Sequence, residues 1–173
     1  MKKTLLVLVA VLAAIVLLAL FAFLAWISFK NGIIRQREAV DAEWSQVENQ
    51  LKRRVDLIPN LVNTVKGFAA HEQAAIAAVT EARARLGGAG AAVAERAKAE
   101  NELGSALARL LVVVENYPNL KADQTFRQLS DELAGTENRI AVARRAYNEA
   151  VRAYNTKIKQ FPGSLLGLET CDY

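Results

Sequence analysis

One cysteine, one histidine and three prolines are spread over 173 residues, and each scarcity closes off a class of function. Cys171 alone forms neither an internal disulfide framework nor a multi-cysteine metal site. His71 alone cannot make a two-histidine zinc motif, because His71-Glu72 is followed by Gln73, Ala74 and Ala75 where HExxH needs a second His. Surplus charge is scarce as well. The net charge is +4, yet Lys2, Lys3 and Lys30 supply most of it, and residues 31–173 carry 19 basic against 18 acidic side chains. Such a balance gives no nucleic-acid-binding surface, which needs clustered surplus Lys and Arg. Gly87-Gly88-Ala89-Gly90 lacks the Lys-Ser/Thr of a P-loop and follows a helical pattern rather than a strand. With no nucleophile beside a base and no metal set, neither an enzyme nor a cofactor is expected.

Apolar residues are abundant, and they are concentrated. From Thr4 to Phe29 the chain runs for 26 residues, 24 of them apolar, without a charge, Gly or Pro. As a helix this run spans roughly 39 Å at about 1.5 Å per residue, against a hydrocarbon core of about 30 Å. A cleaved signal peptide has a shorter apolar core and an A-x-A-like site. Here Ala22 and Ala25 are three apart and no Cys follows for lipid attachment, so an uncut anchor is expected. Trp26 fits the interfacial aromatic preference. Lys2, Lys3 and the α-amino group face Lys30, Arg35 and Arg37 across the run, so the positive-inside count is nearly tied. The signal-like layout favours an inside N-terminus with the remainder exported, and a thiol reagent on Cys171 would test it.

Beyond residue 31 the composition is ordinary, about 47% apolar, and every long segment has helical periodicity. Val40, Trp44, Val47, Leu51 and Val55 recur at spacings of three or four. Ile58, Leu61, Val65, Phe68, Glu72, Ile76 and Val79 continue the pattern, with Glu72 the polar intruder. A third stretch holds Val93, Ala97, Leu103, Leu107, Leu110 and Val114. The fourth alternates three and four throughout, over Phe126, Leu129, Leu133, Thr136, Ile140, Ala143, Tyr147, Ala150 and Tyr154. Such stripes pack against other helices in a bundle or coiled coil.

Breakers separate the stretches at Gly87-Gly88 with Gly90, at Asn116-Tyr117-Pro118-Asn119, and at Phe161-Pro162-Gly163. Pro59 either opens a new helix capped by Asp56 or kinks a continuous one; a break is the expectation. The fold class is therefore all-α, with a transmembrane helix in residues 1–30 followed by an elongated antiparallel bundle of about four helices in 31–161. A short tail occupies 162–173. The last helix, about Lys121 to Gln160, would run roughly 60 Å at 1.5 Å per residue.

Several polar groups merit a functional reading beside a structural one. Lys52-Arg53-Arg54 with Asp56 is either a partner- or lipid-facing patch or a solvated helix end. His71-Glu72 is either a buried polar site or a hydrogen-bonded pair that specifies register. Glu137, Arg139, Arg144 and Arg145 either bind phosphate or form i,i+4-type pairs along one helix. Tyr147-Asn148 and Tyr154-Asn155 repeat one heptad apart, which makes them a structural ladder or an oligomer interface. The candidate interaction surface drawn from these groups is Arg53, Arg54, Asp56, Asn60, Arg144, Asn148 and Asn155.

The stretch Trp44-Ser45-Gln46-Val47-Glu48-Asn49-Gln50-Leu51-Lys52-Arg53-Arg54-Val55-Asp56-Leu57-Ile58-Pro59-Asn60-Leu61-Val62 resembles the signature of the LemA family, and the match continues through Val65-Lys66-Gly67-Phe68-Ala69-Ala70-His71-Glu72. A second block, Tyr117 to Ala122, Glu137 to Ile140 and Ala143 to Asn148, resembles the family's C-terminal half. It closes on Val151, Tyr154-Asn155 and Phe161-Pro162. The chain departs from the family after Phe-Pro, where members usually carry a Gly/aromatic-rich tail and this one ends soon after Gly163. The resemblance implies a bacterial single-pass inner-membrane protein with a helical bundle, and relatives that include a component of magnetosome membrane formation.

Two non-enzymatic functions follow as expectations, with the lipid bilayer a partner in both. One is a self-associating scaffold that organises the membrane; the other is a monomeric accessory module that recruits a membrane-protein partner such as an envelope protease. A scaffold leaves a second apolar or Tyr/Asn stripe exposed for neighbouring copies. An accessory module buries one stripe internally and exposes charges. A ligand-binding bundle would need an apolar cavity between helices.

Overall fold

The computed structural model describes residues 2–88, 90 and 92–171. Met1, the side chains of Lys2, Lys3, Thr4, Leu5 and Val7, Ala89 and Ala91 of the glycine-rich linker, and Asp172 and Tyr173 of the tail lie outside the described residues. Helices make up nearly all of the rest, with no strand among the described residues: α1 Lys2–Phe68, α2 Gln73–Gly88, α3 Val93–Val114, α4 Pro118–Ala122 and α5 Gln124–Lys159.

At 67 residues, α1 extends roughly 100 Å at 1.5 Å per residue. Its first part presents apolar side chains outward, Leu12, Leu18, Phe21 and Phe23 among them, as a helix destined for lipid does. It then enters the bundle without a break, and Phe29 already packs against the core.

The break expected at Pro59 is absent, and Asp56 is an exposed mid-helix residue rather than a cap. A proline inside a helix strips its i−4 carbonyl of a donor; here that acceptor belongs to Val55. Arg83 of α2 supplies a substitute donor, its Nε–H donating to the Val55 carbonyl oxygen at 2.9 Å. The helix ends only at Phe68, where Ala69, almost fully buried, gives its N–H to Val65 and starts a turn through Glu72. The second predicted stripe is thus split between α1 and α2.

The last helix also starts later than expected. Pro118 opens the one-turn helix α4, and Asp123 then caps α5, its carboxylate accepting from the Phe126 N–H at 2.8 Å. α5 runs antiparallel to α1 and packs along it, while α2 and α3 form a hairpin against the distal part of α1. The molecule therefore has two tiers. In the distal tier Leu51, Ile58, Leu61 and Val65 meet Val79, Leu86, Leu103, Leu110 and Ile140. In the membrane-proximal tier α1 pairs with α5 beyond the reach of α2 and α3, with the Trp44 and Tyr147 rings 5.1 Å apart.

The tail folds back on this pair. After the 3-10 turn Gly163–Leu166, Cys171 docks on Asn155. The Asn155 amide donates to the Cys171 carbonyl oxygen and accepts from its N–H, both at 2.9 Å.

Candidate functional site

Polar groups that a helical stripe would exclude are brought together halfway along the distal tier. Arg54 of α1 is 3% exposed, so its guanidinium needs partners. It donates through Nη1 to Glu100 Oε1 of α3 at 3.2 Å, and its Nη2 lies 3.6 Å from Glu137 Oε2 of α5. The second oxygen of Glu100, itself buried, is ion-paired with Arg144 Nη2 of α5 at 3.0 Å. Three helices are thus tied by two cations and two anions. At the surface beside this cluster, Glu132 Oε1 lies 2.6 Å from Arg53 Nη2 and accepts from Arg139 at 2.9 Å. Arg96 of α3 lies 3.3 Å from Glu48 of α1, nearer the membrane.

The i,i+4 pairing expected for Glu137, Arg139 and Arg144 is corrected by this geometry. Glu137 and Arg144 pair between helices, and Arg139 reaches back seven residues to Glu132. Arg145 is exposed.

Beside the cluster, α3 and α5 leave a cleft of about 250 Å³, lined by Arg54, Leu61, Leu107, Leu111, Ser130 and Leu133 among others. Arg54 Nε and Ser130 Oγ have no hydrogen-bond partner among the described residues. Every carboxylate of the cluster is committed to a guanidinium. The arrangement fixes the register of the three helices.

The sequence-selected residues are divided by the fold. Arg54 and Arg144 meet in the cluster, and Arg53 flanks it. Asp56 and Asn60 are exposed on α1, and Asn148 is exposed on α5. Arg54 and Asn155 belong to no surface: Arg54 is enclosed by its ion pairs, and Asn155 is 5% exposed beneath the tail. Tyr147 and Tyr154 share the buried stripe, but their neighbouring Asn residues part company.

His71 and Glu72 do not form a buried pair either. Both fall in the turn between α1 and α2, His71 is exposed, and Glu72 accepts from the Tyr117 hydroxyl at 2.8 Å. That bond to Glu72, with burial and the carboxylate's charge adding to it, raises the Tyr117 phenol above its ordinary value.

Glu100 escaped the sequence reading. It sits seven residues after Val93 on the α3 stripe, and a charge at a stripe position is the signal that marks it.

Residues 43–168 match the model of the LemA family. The chain is similar to Magnetosome protein MamQ 1 of Paramagnetospirillum magneticum, 28% identical over 185 aligned positions, covering 92% of this chain and 68% of the relative. Magnetosome protein MamQ of Magnetospirillum gryphiswaldense is 27% identical, with coverage of 94% and 69%. Protein LemA of Metamycoplasma hominis is 24% identical, with coverage of 87% and 68%.

Proposed function

The chain belongs to the LemA family, and from that premise we propose that this membrane-associated protein is a non-enzymatic accessory module. Its anchored bundle holds a contact surface above the bilayer for a membrane-protein partner, such as an envelope protease. One observation carries the reading. The heptad stripe of α5, Tyr147 and Tyr154 included, is used up inside the chain against α1, and the opposite face exposes Asn138, Arg145, Asn148, Glu149 and Arg152. A module that buries its one stripe and presents polar groups is built for a partner rather than for copies of itself. Arg53, Asp56, Asn60 and Asn148, all exposed, are the proposed contact positions.

A self-assembling, membrane-organising scaffold is the second reading. Its support is the similarity to the magnetosome proteins, together with exposed Leu111, Val112 and Val142. Native mass in mild detergent, repeated after reconstitution into lipid, separates the two. One bundle per particle in both states is expected, and crosslinking would then capture the partner. A large, uniform, closed assembly would overturn the accessory reading in favour of the scaffold.

The proposed location is the bacterial inner membrane, with the N-terminus inside and the bundle exported. The signal-like layout of the amino terminus supports this orientation. Lys157 and Lys159 of α5 add positive charge on the bundle's side and argue against it. Because Cys171 is half-buried, an impermeant thiol reagent should be directed instead at a cysteine replacing exposed Val142.

A further inference from the structure

The end of α5 is set down level with the end of the apolar run. The Lys157 ammonium lies 5.8 Å from the centre of the Phe29 ring, and it sits against Gly32, where a Cβ would collide with it. Phe29 is the last residue of the run. Beyond Lys157 the helix continues only to Lys159 before the chain reverses. Gly163 permits the reversal, because a Cβ there would strike the Lys157 carbonyl oxygen and Ile158. The returning segment climbs back to Tyr154 and Asn155, where the Tyr154 hydroxyl donates to the Glu169 carbonyl oxygen at 3.4 Å. Residues 160–165 are therefore the tip of a hairpin at the membrane end of the bundle.

The tip exposes large apolar side chains beside lysines. Phe161 is 82% exposed and Leu165 69%, with Ile34 of α1 and Leu168 also turned outward. Leu166, between them in sequence, packs inward on the core. Lys159 is exposed just before the tip, Lys30 is exposed on α1 and lines a cleft with Leu166 and Leu168, and Lys157 lies over the Phe29 ring at the same level. Large apolar side chains at the end of a loop, with lysines at the same level of the bundle, match the composition of interfacial membrane contacts. Lysine stems also bury easily while their ammonium groups stay among headgroups.

We propose that the tip carrying Phe161 and Leu165 is a second membrane contact, inserted into the headgroup region of the bilayer that α1 spans, with Lys30, Lys157 and Lys159 facing anionic lipid phosphates. The contact rests on the reading of residues 4–29 as membrane-spanning. It gives the bundle two points of attachment and so fixes which of its sides faces the lipid.

The test uses the full chain with Cys171→Ser and one cysteine at a time at positions 17, 142, 161 or 165, all exposed in the structure. Each cysteine is labelled with an environment-sensitive fluorophore and reconstituted into vesicles of phosphatidylcholine and phosphatidylglycerol. Probes at 161 and 165 should be quenched by lipid spin-labelled near the headgroup, and be shielded from iodide severalfold relative to 142. The probe at 17 should respond to spin labels deep in the acyl chains. If 161 and 165 are as open to iodide as 142 while 17 remains lipid-protected, the tip stands in water and the proposal fails with the anchor intact. Iodide access at 17 as well would overturn the spanning segment and the contact together.

Discussion

Removing the Glu100 charge leaves the Arg54 guanidinium where water barely reaches, with the exposed Glu137 carboxylate at 3.6 Å as its remaining ionic partner. Glu100→Gln should destabilise the chain by up to about 3–5 kcal/mol in denaturant unfolding of the detergent-solubilised protein, since it breaks a buried pair and leaves Arg54 with only the more distant Glu137. Arg53→Ala, at a largely exposed pair with Glu132, should cost only about 0–1 kcal/mol. Equal losses at the two positions would show that burial does not govern this cluster. Tyr117 gives a pH signature. Its proton is held by Glu72, so its folded value lies above the unfolded one, near about 10. The stabilisation is fully present below that unfolded value and is lost as pH rises through the raised folded one. The melting temperature of the wild-type chain should therefore fall more steeply on the alkaline side than that of Tyr117→Phe. At this scale the sequence was only half legible. Periodicity assigns the stripe through α1 to Val55, whereas the structure buries Arg54 and leaves Val55 half-buried. Periodicity ranks residues by polarity, and it has no means of recognising an arginine whose partners lie on two other helices.

Pro59 makes the same point for whole elements. The continuity of α1 depends on Arg83, 28 residues beyond the Val55 carbonyl it serves, and a window centred on the proline holds no trace of it. Arg83→Met should cost about 1–3 kcal/mol by leaving the Val55 carbonyl oxygen unpaired. In a Pro59→Ala background the cost should shrink, because an alanine at that position supplies the missing N–H; a double-mutant cycle reads the difference. An unchanged cost would mean that Arg83 acts through packing alone. The stripes themselves were legible because they are local: all nine positions read along α5 are buried or half-buried. Helix starts were less so, since Asp123 competes with Lys121 as the natural beginning and wins through its side-chain cap. The docking of the tail was invisible, because Asn155 shows no polarity pattern that separates it from Asn148. Asn155→Ala should raise hydrogen exchange over residues 166–171 while leaving the distal tier protected.

Taken as a whole, the molecule's all-α character and elongation were plain from composition and helix length, but its two tiers were not. The tiers arise because α2 and α3 cover α1 only from about Glu48 outward, a limit set by where the hairpin turns. From Lys30 to Phe68 the uninterrupted helix rises roughly 57 Å. Energy transfer from a dye at Asn119, in α4 at the distal end, to a headgroup dye should therefore report a separation of about that size, scaled by tilt. The helix also has no joint at the membrane surface, and its apolar run of roughly 39 Å exceeds a hydrocarbon core of about 30 Å, a mismatch that a helix accommodates by leaning. A rigid arm turns that lean into sideways travel. Each tilt of about ten degrees displaces the far end by about 10 Å for an arm of this length. With residues 4–29 spanning the bilayer, a thicker membrane should stand the arm more upright and a thinner one lay it over, unless the tip at Phe161 and Leu165 holds it.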